Sequence, residues 1–303
     1  AAKAYSAKHP VLSPVMVGSR QWDWRKTYVF GVLNITPDSF SDGGACFGAN
    51  KVARAVDSAM QMVADGADAI DIGGESTRPG SERISEAEEL TRVIPVVEAL
   101  RQRTDIPLSI DTYKASVAKQ AVEFGANIVN DISGGLMDDN MFETLAVLNV
   151  PVVIGHLRGR PETMQDEISF SDVVQDVGDD LRARLRCAQH AGICNKHLWV
   201  DPGIGFGKNA DQSLALVAAT DQLVADLGRP MMIGVSRKSF IGTVCGLAVD
   251  QRIHASIVAS CVSACFGAHF LRVHDVAEAV PAVKLVDAVV RHRSEAQNTR
   301  QKA

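Results

Sequence analysis

The chain has 303 residues, 46% of them hydrophobic, with 31 basic and 36 acidic residues giving a net charge of -5, which suits a substantial core and excludes a disordered or basic nucleic-acid-binding class. No apolar run reaches the ~20 residues of a membrane helix, so neither a bilayer nor an anionic membrane surface is an expected partner. Six cysteines without a Cys-x-x-Cys pair argue against a disulfide framework or a thiolate metal site, and point to a reducing compartment, cytoplasmic or organellar if the chain is a processed product.

Taken in order, the residues before Asp23 carry no acid but several Lys, Ser and Ala, an echo of an organelle transit segment against which Pro10 and Pro14 argue. The chain begins at Ala1 rather than Met, as a processed product or a part of a longer polypeptide would. Tyr28 to Leu33 is then a short apolar, β-branched and aromatic run that reads as a buried strand. It stops at Asn34 and opens into Ile35-Thr36-Pro37-Asp38-Ser39-Phe40-Ser41-Asp42-Gly43-Gly44, a polar loop that can continue neither strand nor helix.

From there the chain alternates. Strands are expected at 28–33, 68–73, 107–111, 127–130, 151–155, 197–201, 231–235 and 269–273, from their length and apolar content. Helices are expected at 51–65, 85–101, 114–124, 139–147, 170–191, 210–227, 250–266 and 275–292, from a 3.6-residue apolar period. Ser85 and Glu88 form a capping-box pattern ahead of the second. Gly66, Gly125 and Gly192 stand where helices should stop, and Cys261 and Cys265 fall one turn apart as small buried hydrophobes would.

Eight βα units with short connections and no composition break predict a closed (β/α)8 TIM barrel in a single domain over 27–293, with an N-terminal extension over 1–26 and a tail over 294–303. Such barrels place their active sites where the carboxyl ends of the strands meet the following loops. Here those ends are polar: Asn34, Asp71 leading to Gly73-Gly74-Glu75-Ser76-Thr77-Arg78, Asp111, Asn130-Asp131, His156, Asp201, Ser236-Arg237-Lys238 and Arg272-Val273-His274. Any one of them could be a cap, as Asp111 or Asp275 before a helix. Their convergence on one rim is not explained by capping.

Two chemical sets share that rim. Asp111, Asn130 and Asp201 can pair side by side with the N–H and C=O groups of a planar heterocycle such as an amino-pyrimidinone. Arg78, Lys238, Arg272 and His274 suit a multiply charged anion such as phosphate or pyrophosphate. Phe206, in Asp201-Pro202-Gly203-Ile204-Gly205-Phe206-Gly207-Lys208, offers a ring in a loop whose backbone can approach a flat ligand. Asn34 with Asp38 or Asp42 offers oxygens for Mg²⁺, although two acids in a polar loop are also what a solvated loop contains. Serine hydrolase chemistry is excluded, because no Gly-x-Ser-x-Gly elbow occurs.

The segments at 34–44, 71–80, 109–112, 130–135, 201–208, 236–240 and 272–276, in that order, resemble the dihydropteroate synthases of folate biosynthesis. The resemblance covers about 28–292 and implies a (β/α)8 transferase, a homodimer, that joins 6-hydroxymethyl-7,8-dihydropterin pyrophosphate to p-aminobenzoate and releases pyrophosphate. By position it assigns pterin binding to Asp111, Asn130, Asp201 and Lys238, with Phe206 near the ring. It assigns Mg²⁺ and pyrophosphate to Asn34, and pyrophosphate to Arg272 and His274. The p-aminobenzoate side, where sulfonamides would compete, falls to Phe40, Thr77, Arg78, Pro79 and Ser236, with Asp42 on the closing first loop; Arg78, Lys238, Arg272 and His274 are the implied catalytic cations. One departure is His156-Leu157-Arg158-Gly159-Arg160-Pro161, which has two arginines where relatives often run His-Met before Gly-x-Pro. Two other readings are a pterin-binding methyltransferase barrel, which has no use for pyrophosphate contacts, and an inactive barrel serving as docking module of a larger fused chain.

Overall fold

A computed structural model describes residues 12–36, 49–76, 81–160, 163–165 and 168–302. Ten strands and ten helices are described within them. A short antiparallel hairpin, β1 (Val15–Val17) and β2 (Arg20–Trp22), comes first. Then β3 (Tyr28–Asn34), α1 (Ala49–Ala64), β4 (Ala69–Gly73), α2 (Glu86–Arg101), β5 (Leu108–Asp111), α3 (Ala115–Glu123), β6 (Ile128–Asp131), α4 (Met141–Leu148), β7 (Val152–Gly155), α5 (Val173–His190) and β8 (Leu198–Asp201) alternate without interruption. After them follow α6 (Ala210–Ala218), α7 (Thr220–Leu227), β9 (Met232–Ile233), α8 (Ser239–Cys245), α9 (Ile253–Cys265), β10 (Phe270–Val273) and α10 (Val276–Lys302).

Strands β3 to β10 form one parallel sheet in the order β8-β7-β6-β5-β4-β3-β10-β9. A parallel bridge between Val200 and Met231, with Val200 N donating to Pro230 O at 2.9 Å, joins the two ends and closes the barrel. The (β/α)8 expectation holds. No helix among the described residues is long and apolar enough to cross a membrane.

The side-chain period of two sorts each strand. Val29, Leu33, Ile70, Ile72, Leu108, Ile110, Val129, Val152, Ile154, Leu198, Val200, Ile233 and Leu271 face outward and are buried against the helices in one continuous core. The inward positions divide along the barrel axis: Tyr28, Phe30, Ala69, Ile128, Val153, Trp199, Met232 and Phe270 form a second apolar cluster, and Asp71, Ser109, Asp111, Asn130, Asp201 and Arg272 follow them two residues on or within a turn. Both faces are buried, so the strands read as near-continuous apolar runs.

Differences from expectation have local causes. The stretch 210–227 is two helices, because the buried Thr220 turns its hydroxyl onto Leu216 O and Val217 O at 3.3 and 2.9 Å and breaks the run at Ala219. Helix α8 is only seven residues long, too short for a periodic signal. Strand β9 pairs over two residues rather than five, since the chain turns away at Arg237, a non-glycine residue at φ 59°. Helix α10 continues to Lys302, past residue 293. Ser85 caps α2 by accepting from Glu88 N at 3.2 Å, while the Glu88 carboxylate bonds Arg92 rather than reaching back to the cap. Cys261 and Cys265 are half-buried on α9 rather than in the core.

The hairpin plugs the amino end of the barrel. Val15, Val17 and Trp22 are buried, and the Trp22 ring stacks on Tyr28 at 4.3 Å and on Trp199 at 5.6 Å. Truncating a ring of this size in a packed core costs about 3–5 kcal/mol. Trp22→Ala should lower the unfolding free energy by that amount in urea titration, and a loss below ~1 kcal/mol would show that the hairpin is not part of the cooperative unit.

Candidate active site

The register of the barrel lines up the polar ends of its strands. Asn34 on β3 pairs across to Gly73 on β4, Gly73 to Asp111 on β5, and Asp111 to Asn130 on β6. One cavity at this end is lined by Asp111, Asn130, Asp201, Phe206, Ser236, Lys238, Arg272 and His274 among others. The heterocycle-pairing set therefore faces the same space as Lys238, Arg272 and His274 of the anion-gripping set. Phe40, Asp42, Thr77, Arg78 and Pro79, together with Asp38, lie outside the described residues.

Charge compensation organises the floor. Arg272 on β10 donates from Nε to Asp71 Oδ2 at 2.6 Å and from Nη2 to Asp111 Oδ2 at 2.7 Å. Asn130 Nδ2 donates to the same Asp71 oxygen at 3.2 Å. One guanidinium thus serves two buried carboxylates. Burial pushes the Asp111 carboxyl up to about 7, with Asp71, Glu89 and Asp131 adding to the shift and Arg272 opposing it. Burial would lower the Arg272 guanidinium, but Asp71 and Asp111 more than reverse that and raise it. Asp71 was visible as a polar strand end; only the barrel reveals that it anchors Arg272.

The wall opposite is built by the segment after β8. Asp201 Oδ1 accepts from Gly203 N at 2.7 Å, and burial raises the Asp201 carboxyl against the pull of Lys238. Gly203, at φ +65°, lies so close to the chain that a Cβ would fall 1.9 Å from His156 O, so no other residue fits there. Lys238 Nζ donates to Ile204 O and stands 4.4 Å from the centre of the Phe206 ring. Desolvation lowers the Lys238 ammonium to about 8 despite Asp201 and Asp111. His274 donates from N to Ser236 Oγ at 3.2 Å, with Nδ1 3.0 Å from the same hydroxyl, tying the ends of β9 and β10 together.

Two networks around the mouth, each centred on a buried lysine, join residues whose pairing the sequence does not show. Lys208, His156, Asp180 and Arg158 form one, with His156 Nε2 3.1 Å from Asp180 Oδ2 and Arg158 donating to that oxygen from Nε and Nη2 at 3.0 and 2.9 Å. This accounts for the first of the two unexpected arginines, whose guanidinium also covers the Phe170 ring at 4.3 Å; Arg160 is exposed. In the other, Lys114 Nζ bonds Glu75 and, at 2.5 Å, Glu89, and Tyr113 donates to Glu75. Their members come from separate helices and loops, so no local spacing could have linked them.

A family model described as pterin binding enzyme matches residues 30–274. The dihydropteroate synthase of Synechocystis sp. is 42% identical over 284 residues, covering 92% of this chain and 96% of that protein. The chain belongs to the dihydropteroate synthase family. It is a transferase of folate synthesis, and the methyltransferase and docking-module readings fall away. Among solved structures, a dihydropteroate synthase of Xanthomonas albilineans with 4-aminobenzoic acid superposes with a TM-score of 0.84 at 40% identity, covering 91% of this chain and 97% of that one. A Yersinia pestis dihydropteroate synthase with a sulfonamide drug gives 0.84 at 39%, covering 91% and 99%.

The shifted Asp111 carboxyl makes stability depend on pH. An unfolded aspartate ionises near pH ~4, whereas the folded one keeps its proton to about 7. Between those values the folded state holds a proton that the unfolded state has released, so this contribution is complete below pH ~4 and is lost as pH rises through ~7. Asp111→Asn should flatten that slope in denaturant titrations across the window; a curve superimposable on the parent's would contradict the assignment.

Proposed function

We propose that the cavity binds the pterin of 6-hydroxymethyl-7,8-dihydropterin pyrophosphate against Asp111, Asn130, Asp201 and Lys238, with Phe206 beside the ring, and directs its pyrophosphate toward Arg272, His274 and Asn34. The p-aminobenzoate side is assigned, by resemblance, to Phe40, Thr77, Arg78, Pro79 and Ser236, with Asp42 on the closing loop, and sulfonamides compete there. What carries the reading is Arg272 lying between Asp71 and Asp111 within the cavity that Asn130, Asp201 and Lys238 also line. A ligand whose N–H groups take Asp111 while its anion takes Arg272 exchanges both partners in one event, so neither charge is left unpaired.

An aromatic amine is neutral at pH 7 and needs no base to expose its lone pair. The barrier lies in breaking the carbon–oxygen bond to pyrophosphate. Arg272 and His274 meet the charge that grows on the leaving group, and fixed charges in a water-poor site are commonly the largest contribution to catalysis. Asp111 and Asp201 hold the pterin and offset its developing positive charge. The p-aminobenzoate nitrogen then bonds the pterin methylene carbon as pyrophosphate departs, and the amine proton is lost to solvent.

Asn34 fits a magnesium ion of the sparsely liganded kind. Its Oδ1 and Asp111 Oδ2 lie 3.7 and 3.6 Å from the point where a Cβ on Gly73 would stand, so both oxygens border one small space at the mouth. Among the described residues no group of three His, Cys, Asp or Glu side chains could hold a metal by itself, and an ion at Asn34 would draw its other ligands from phosphate and water. Bound there, Mg²⁺ would neutralise charge on the leaving pyrophosphate.

A homodimer is also proposed. Val258 and Val262 on α9, 62% and 37% exposed, and Leu285 and Val289 on the adjoining α10, 67% and 59% exposed, each repeat at i, i+4. Half-buried Cys261 and Cys265 lie on the same side of α9, and a second copy covering this face would complete their burial.

With pterin pyrophosphate, p-aminobenzoate and Mg²⁺ all present the protein should release pyrophosphate, and omission of any one should abolish it; release without p-aminobenzoate would sink the condensation. Arg272→Ala should lower turnover ~10²-fold or more, and unchanged turnover would remove Arg272 from the leaving-group site. Val258→Asp should convert the sedimenting species from dimer to monomer; a parent protein that already sediments as a monomer would dispose of the dimer.

A further inference from the structure

Four successive carbonyls in the segment that carries Phe206 each accept a hydrogen bond from a side chain. Lys208 Nζ donates to Gly203 O at 3.0 Å and to Phe206 O at 2.9 Å. Lys238 Nζ donates to Ile204 O, and Gln165 Nε2 to Gly205 O at 2.8 Å. Surface loops ordinarily leave such groups to water. Here the turn, closed also by Phe206 N on Gly203 O at 3.0 Å, is gripped from below by one lysine and from the cavity by another.

Lys208 is only 3% exposed. An ammonium has three N–H donors, and the third goes to His156 Nδ1 at 2.9 Å, so every donor is used. No carboxylate among the described residues touches it. Burial lowers its ammonium to about 7 and the His156 imidazole to about 4, so His156 is neutral. Its Nδ1 accepts from Lys208, which puts its proton on Nε2, facing Asp180 Oδ2. Asp180 is in turn held by both Arg158 contacts. The chain of contacts runs from a half-exposed arginine, through a helix carboxylate and an imidazole, to the floor of the turn.

Burying an ammonium on three neutral acceptors is costly, and an apolar side chain would fill the space more favourably for stability alone. We propose that Lys208 is a positioning residue for the pterin: braced by His156, Asp180 and Arg158, it holds the 203–206 turn so that the Phe206 ring faces the mouth in a fixed orientation. This rests on the pterin reading of the cavity given above. Lys208 touches no substrate; it acts through Phe206.

Steady-state kinetics on the full chain should separate positioning from general stability, using Lys208→Met, Arg158→Ala and the double variant, with thermal midpoints recorded alongside. Expected for Lys208→Met is a rise of about ten-fold in KM for the pterin substrate, the scale of one misplaced ring contact, with KM for p-aminobenzoate and kcat within about two-fold. Arg158→Ala should shift the same constant in the same direction by less, and the double variant should resemble Lys208→Met, because contacts in one network are not additive. Unchanged kinetics, an equal loss in kcat and both KM values, or full additivity would overturn the proposal. Should Lys208→Met fail to fold, Arg158→Ala decides, since Arg158 is partly exposed and its loss opens no core cavity; an unaltered pterin KM there overturns it. Asp201→Asn tests the underlying reading separately: if it leaves the pterin KM untouched, the cavity is not the pterin site and both ideas fall, whereas a large rise beside an unaffected Lys208→Met rejects positioning alone.

Discussion

The guanidinium of Arg272, shared between Asp71 and Asp111 at the centre of the barrel, is the interaction on which the site depends. Two carboxylates cannot both ionise in a low-dielectric interior without a cation beside them. Burial, with Asp71 adding to it, holds the proton on the Asp111 carboxyl to about 7 against the pull of Arg272.

The pleat makes this arrangement possible. Inward positions near the amino end are aromatic or aliphatic and pack with the hairpin around Trp22 and Trp199; inward positions near the carboxyl end are acids, an amide and an arginine. Outward positions on the same strands are apolar against the helices, save Asp131 at the end of β6, which caps the turn after it by accepting from Ser133 N and Gly135 N. Stability is thereby concentrated at one end of the barrel and chemistry at the other.

The loops above the strands are fastened to one another as well as to the barrel. Arg237 holds a left-handed backbone conformation, costly for a residue with a side chain, and is kept there by an ion pair with Asp275 and by Ser256 Oγ, which accepts from Arg237 N at 2.9 Å. That pair, with the Ser236 to His274 contacts, fixes the segment bearing Lys238 against the segment bearing His274. The 203–206 turn is fixed from the other side by Lys208 and Gln165. Cations that must meet an anion at a defined place are thus carried on backbone with little freedom to wander, which is what preorganised charge requires.

The alternation of apolar runs with 3.6-period segments determined the eight strands to within a residue or two, the barrel, and the rim on which Asp111, Asn130, Asp201, Lys238, Arg272 and His274 meet, because strand and helix periods are local properties and the barrel rule ties strand ends to the site. The split at Thr220, the short α8 and the hairpin under the barrel were not legible, since each depends on one side-chain contact or on packing against residues far along the chain. Nor were the partners of the charges. Arg272 lies 201 residues from Asp71 and 161 from Asp111, and Lys208 lies 52 from His156. Residue type announced which groups could pair, but pairing energy falls off over a few ångströms, so which of them do pair was decided only when the closed sheet brought distant strand ends within hydrogen-bonding reach.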